Sequence, residues 1–265
     1  MDVDDVLGVT LLDEELFVLL DRDACQIAVY SINDYRLLRH IGLPAQIKLS
    51  AYTYMTSCVQ NKCTYVSDWD HNCVHKLSIT TWFGRRSNRW TVFQVPDPPL
   101  GLSVTPDGNI LVTCDAKPGK LVELGSDSGL CVREILLQPD IQCPWHGVQL
   151  TNGQFVVCHG ADKNLHRVCV VNADGGVTRS YGGQPGSSDG QLSYPRHLSV
   201  DNNSQSIFVA DFNNNRIVLL SPSLKFVRCI TEGLTHPARL HLDNATHCLY
   251  TGQRRSVNVI TTPFL

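Results

Sequence analysis

The chain has 265 residues, room for one large domain or two small ones at roughly 100 to 200 residues each, and its 43% hydrophobic and 18% charged residues exclude an intrinsically disordered chain. Its 22 lysines and arginines stand against 25 aspartates and glutamates, so the formal charge is −3 and any nucleic-acid site must be a local patch rather than the whole molecule. No run of about 18 apolar residues is present, which excludes a membrane-spanning helix.

The predicted elements, in chain order, repeat one unit: strand, turn, strand, turn, strand, turn, strand. The first copy (about 6–41) centres on Phe17-Val18-Leu19-Leu20-Asp21, and the second (about 44–95) on Thr64-Tyr65-Val66-Ser67-Asp68. The third (about 98–137) reads Pro99 to Gly108, Asn109 to Asp115, Lys120 to Leu124 and Val132 to Leu136. The fourth (about 144–182) runs from His146 through Gly153–His159 to Arg167–Val171. The fifth (about 193–231) is the clearest, with Tyr194–Asp201, Ser206–Asp211, Asn215–Leu220 and Phe226–Ile230. The sixth (about 236–265) centres on Cys248–Gly252.

Each run is rich in β-branched and aromatic residues and bounded by Asn, Asp, Ser, Gly or Pro, the pattern of a four-stranded antiparallel meander. The residues closing the second strands, at positions 21, 68, 115, 159, 211 and 252, lie 47, 47, 44, 52 and 41 apart. One such sheet cannot cover both its faces, whereas six set radially bury each against the next. The expected fold is therefore all-β: one six-bladed β-propeller of four-stranded antiparallel blades filling residues 1–265. After Val257–Ile260 too few residues remain for an outer strand, so the ring is expected to close through Met1–Val6, or the last blade is short, or the chain continues.

The acidic start, Met1-Asp2-Val3-Asp4-Asp5, lacks the features of an export signal. The odd count of 11 cysteines is scattered through strand-like text without the spacing of a disulfide framework, so they are read as mostly reduced core thiols of a cytoplasmic protein.

Blade five, with Pro195, Val200-Asp201, Ile207-Phe208-Val209-Ala210-Asp211 and Asn215-Arg216-Ile217, resembles the NHL repeat, and the lead-in Gly182–Leu192 looks like that family's glycine-rich connector. The resemblance implies a domain like the C-terminal part of tripartite-motif proteins, which binds RNA or protein partners beside a RING ubiquitin-ligase module. The chain contains no Cys-x-x-Cys, so ligase catalysis is not in these residues.

Loops joining strands two and three, and strand four to the next strand one, share one face, and recognition tends to sit on loops carried by a rigid scaffold. On that face are placed Trp69, Asp70 and His71; Trp145 and His146; Arg196 and His197; Asn213 and Asn214; and Arg239, Arg254 and Arg255. Aromatic and arginine residues anchor protein interfaces and also stack on unpaired bases, so the expected partner is a protein or single-stranded RNA. No cofactor is expected. Asp21, Asp68, Asp115 and Asp211 are read as turn caps.

Trp82-Phe83-Gly84-Arg85-Arg86-Ser87-Asn88-Arg89-Trp90 interleaves arginines and aromatics, but falls on the opposite face and is read first as a solvated hairpin tip with its tryptophans tucked in. Cys58, Cys63, His71, Cys73 and His75 form the only group of metal-ligand types; Cys73 and His75 share one side of a strand, yet the other spacings match no zinc finger, and buried thiols are expected instead. The alternative function is a propeller enzyme of metal-dependent lyase or lactonase type. That needs inward-facing ligands from several blades, where the innermost strands offer only His197 and His241 among mostly apolar residues.

Overall fold

A computed structural model of the chain describes residues 6–20, 25–82, 85–161 and 165–261. Blade one is β1 (Val6–Leu12), β2 (Glu15–Leu20), β3 (Gln26–Ser31) and β4 (Leu37–Gly42); blade two is β5 (Met55–Cys58), β6 (Cys63–Asp68), β7 (Cys73–Trp82) and β8 (Arg85–Gln94). Blade three is β9 (Pro99–Val104), β10 (Ile110–Cys114), β11 (Lys120–Leu124) and β12 (Cys131–Leu136); blade four is β13 (Pro144–Gln149), β14 (Phe155–His159), β15 (His166–Val171) and β16 (Val177–Gly183). Blade five is β17 (Pro195–Val200), β18 (Ile207–Asp211), β19 (Arg216–Leu220) and β20 (Phe226–Ile230). Blade six is β21 (Arg239–Asp243), β22 (Cys248–Gly252) and β23 (Val257–Thr261), three strands among the described residues.

Every blade is an antiparallel meander in sequence order. The first strands touch one another around the ring, β1 with β5, then β9, β13, β17, β21 and back to β1, which sets them at the axis. The molecule is the predicted six-bladed propeller.

Burial explains why the second strands read as unbroken apolar runs rather than alternating ones. β10, β14 and β18 are buried at every residue because another blade covers each face, while β12, at the outer edge, buries only Ile135. The core accordingly divides into six clusters, one in each wedge between successive blades. The closing wedge packs Val9, Leu11 and Val18 of blade one on Tyr250 and Val257 of blade six. Val6 also donates its amide to the Arg254 carbonyl across this seam, at 3.3 Å. Of the Met1–Val6 segment offered as one route to closure, residues 1–5 lie outside the described residues, as does Asp21, expected to cap the first blade's turn.

Two local expectations change. Asp68 caps its turn, accepting from the His71 amide, whereas Asp211 makes no cap bond to its own turn's backbone and accepts instead from the Ser193 amide of the loop entering the blade, and Asp115 lies exposed one step beyond the matching position. Cys114 takes that position, paired with Lys120 as Asp211 pairs with Arg216. The arginine-rich hairpin is not mainly loop: β7 and β8 extend through it, with Phe83 and Gly84 outside the described residues. Arg86 there is held by Glu15 at 2.7 Å, and Trp90 packs against the wedge between blades one and two. No helix among the described residues is long and apolar enough to cross a membrane.

Candidate functional site

The face formed by the strand two–three turns and the blade-to-blade loops carries a ladder of aromatic and cationic groups. Tyr52, in the loop entering blade two, is 42% exposed and stands between two tryptophans: its ring lies 5.4 Å from Trp69 and 6.1 Å from Trp145, nearly parallel to the latter at 13°. Trp145 is fixed by its indole N–H, which donates to the Gly160 carbonyl at 2.8 Å. The Arg196 guanidinium sits 5.3 Å from the Trp145 ring and 3.8 Å from that of Phe212, and Phe212 meets His236 at 4.9 Å. Trp69, Tyr52, Trp145, Arg196, Phe212 and His236 thus form one band from blade two to the entrance of blade six.

Of the predicted residues, Trp69, Trp145 and Arg196 join this band. Asn213 is exposed beside it, while Asn214 is turned inward, donating to the Gly186 carbonyl and to Asp211. Arg254 and Arg255 are exposed on the β22–β23 turn, and Asp70 pairs with Lys48 at 3.2 Å. His71 is exposed but holds Asp68 at 2.9 Å.

His146, His197 and Arg239 were expected on the exposed rim and are instead buried at the axis. Arg239 donates to the carbonyls of Leu7, Ala238, Ala51 and Thr53 and lies 3.9 Å over the Tyr54 ring, so it ties blade six to blade one and to the loop entering blade two. His146 and His197 stack at 3.9 Å beneath Tyr54, whose hydroxyl donates to the Arg196 carbonyl. Tyr52, Tyr54, Phe212 and His236 are absent from the sequence-based set; the signal for the tyrosines was their place just before the first strand β5, close to where Trp145 and Arg196 open β13 and β17.

Below this plug, a cavity of about 430 Å³ opens on the opposite face, with His146, His197 and His241 in a mixed wall of apolar Met55, Leu102 and Leu240 and polar Ser57, Ser103 and Gln149. Burial holds His146 and His241 down near 4 and His197 well below its ordinary value, so all three are neutral at physiological pH. The His146 and His197 rings face each other as a packed pair rather than aiming nitrogens at a shared point. Among the described residues, the only three His, Cys or acidic side chains whose ligand atoms lie within 4.8 Å of one another are Asp68, Cys73 and His75, all in blade two. Cys58 and Cys63 are not with them, because β6 carries Cys63 and Asp68 at opposite ends, about 17 Å apart at 3.3 Å per residue.

The fold and this face define the class: a β-propeller with an aromatic, arginine-bearing rim. No family model and no curated protein matches the sequence. Among solved structures the chain is similar to hydrazine synthase of Kuenenia stuttgartiensis (TM-score 0.67, 13% identity, 99% of this chain and 97% of that one). It is also similar to streptogramin B lyase (0.64, 12%, 100% and 85%) and to the β-propeller domain of Myceliophteria thermophila Cps50 (Swd1) (0.64, 9%, 97% and 83%). At these identities the likeness shows the fold, and function rests on the residues themselves.

Proposed function

We propose that this propeller is a non-catalytic interaction module that binds a protein segment across the band from Trp69 to His236. The observation that carries the reading is the exposed Tyr52 ring held between Trp69 and Trp145 and continued by Arg196 and Phe212, a rigid amphipathic surface of the kind that anchors protein interfaces. A continuous positive face would favour RNA, but of the four arginines expected there two are engaged within the molecule: Arg239 is buried under carbonyls and Arg196 is clamped between rings. The same face carries Asp70, Asp140, Asp189 and Glu232, so its charge is mixed rather than uniformly positive. The NHL-type reading of the repeat draws support from the turn in which Asp211 binds both Asn214 and Arg216. Service as the partner-selecting end of a tripartite-motif-like ligase rests on the sequence resemblance.

The test is a peptide library selected against the intact propeller, with hits re-measured on Tyr52→Ser and Arg254→Glu. Tyr52 is half exposed, so its variant is expected to keep the wild-type melting temperature while losing on the order of tenfold in affinity, as for an interface anchor. Hits that bind Tyr52→Ser and wild type alike would remove this surface from the function. Binding of a single-stranded RNA pool with a steep salt dependence, and no peptide hits, would move the function to RNA.

A further inference from the structure

We propose that blade two carries a zinc site formed by Asp68, Cys73 and His75, with His71 as the fourth ligand at its mouth. Asp68, Cys73 and His75 already bring their ligand atoms within 4.8 Å of one another, and His71 stands outside that group, held to Asp68. His75 Nε2 lies 3.2 Å from Asp68 Oδ2 and 3.3 Å from Cys73 Sγ, and His71 Nδ1 lies 2.9 Å from Asp68 Oδ2. Ligand atoms at 2.0 to 2.3 Å from one zinc ion stand about 3.3 to 3.6 Å from each other, the spacing His75 already keeps to Asp68 and to Cys73, and His71 completes the set by swinging in from Asp68. The donor set of thiolate, imidazole and carboxylate suits zinc and disfavours magnesium or calcium, which prefer oxygen. Asp68, Cys73 and His75 are buried, and a cavity of about 370 Å³ between Ala45, Gln46, Val92 and Gln94 opens onto them past the exposed His71.

Comparison with blade five says why a cation belongs there. The two turns share one design: Asp68 pairs with Cys73 as Asp211 pairs with Arg216, and each turn ends on a left-handed asparagine, Asn72 or Asn215, just before that partner. In blade five the buried Asp211 carboxylate is neutralised by the Arg216 guanidinium at 2.7 Å. Blade two has the same buried carboxylate but places a cysteine where the arginine stands and a histidine, His71, where Asn214 stands. A buried carboxylate without a permanent cation is costly, and a divalent ion supplies the missing charge. On binding, the Cys73 thiol gives up its proton to solvent and its sulfur bonds the ion, leaving a Zn²⁺ centre with one thiolate, one carboxylate and two imidazoles, formally neutral.

The experiment strips the intact chain of metal with a chelator and titrates it with Zn²⁺, then with Co²⁺ as a spectroscopic stand-in. One equivalent of zinc is expected to bind and raise the thermal midpoint, and the cobalt form should show a near-ultraviolet thiolate-to-metal band. Cys73→Arg, which rebuilds the blade-five arrangement, is expected to fold without metal and to lose both zinc and the band. His71→Ala, at an exposed position, should weaken zinc binding by at least about tenfold. Absence of stoichiometric zinc uptake by wild type, or uptake that His71→Ala and Cys73→Arg leave unchanged, overturns the site.

Discussion

At the scale of single residues, the axis shows how a side chain's direction can reverse a reading made from its position. Arg239, His146 and His197 follow Pro237, Pro144 and Pro195 at the point where loop becomes strand, and sequence places that point on the rim. Strand geometry then alternates successive side chains between the two sides of the sheet. Arg196 points to the rim, whereas His197, one residue on, points to the axis. No periodicity within a single sequence separates these, because both neighbours are polar. The axial histidines have a consequence in solution. His241 is half-buried, and its desolvation holds it near 4, below its unfolded value of about 6.5, so between those values the unfolded chain binds a proton that the folded chain refuses. Stability is complete above about pH 6.5 and is lost as pH falls toward 4, by about 1.4 kcal/mol per pH unit for each such group. His241→Gln is expected to flatten the fall in urea unfolding free energy between pH 6.5 and 5 by about that slope. Parallel curves for the two proteins would show that His241 is not held neutral.

At the scale of elements, the inner strands share a step that sequence did not reveal. Met55, Leu102, Gly147 and Leu198 pair with Val66, Val112, Val157 and Val209, so the residues before them, Tyr54, Gly101, His146 and His197, occupy equivalent places around the axis. Three carry rings that stack on one another, and the fourth is a glycine because the ring needs its space. A Cβ on Gly101 would lie 2.6 Å from His146 Cδ2 and 2.6 Å from the Trp145 carbonyl. Gly101→Ala is therefore expected to cost about 1 to 3 kcal/mol, the range for overpacking a tight core, seen as a lower urea midpoint with an unchanged slope. An unchanged midpoint would mean that β13 can retreat from β9. The blades themselves were legible, since each run of four to seven residues ends in turn chemistry. The length of β7 and β8 was not, because Arg85 to Arg89 read as a polar tip while the backbone goes on pairing.

At the scale of the whole molecule, six copies of one unit in the sequence dictate a ring, but whether the ring is shut depends on its weakest copy. The sixth sheet has three strands among the described residues, and its repeat text is the faintest after blades one and two. Among the described residues, the closing contacts are the packing across this seam and the hydrogen bond from the Val6 amide to the Arg254 carbonyl. On β22, neighbouring residues face opposite wedges: Leu249 packs against Phe208, Ala210 and Leu219 of blade five, and Tyr250 against Val9, Leu11 and Val18 of blade one. Both are buried, Leu249 fully and Tyr250 to within 2%. In a closed ring the two wedges are equivalent, so Leu249→Ala and Tyr250→Ala should each cost about 2 to 5 kcal/mol. In an open ring the seam beside blade one would be wet, and the tyrosine could be removed for a small fraction of the leucine's cost. Urea unfolding of both variants beside wild type makes the comparison directly. Closure through blades six and one predicts similar losses from two side chains adjacent in sequence but belonging to different wedges, with one cooperative transition in each case.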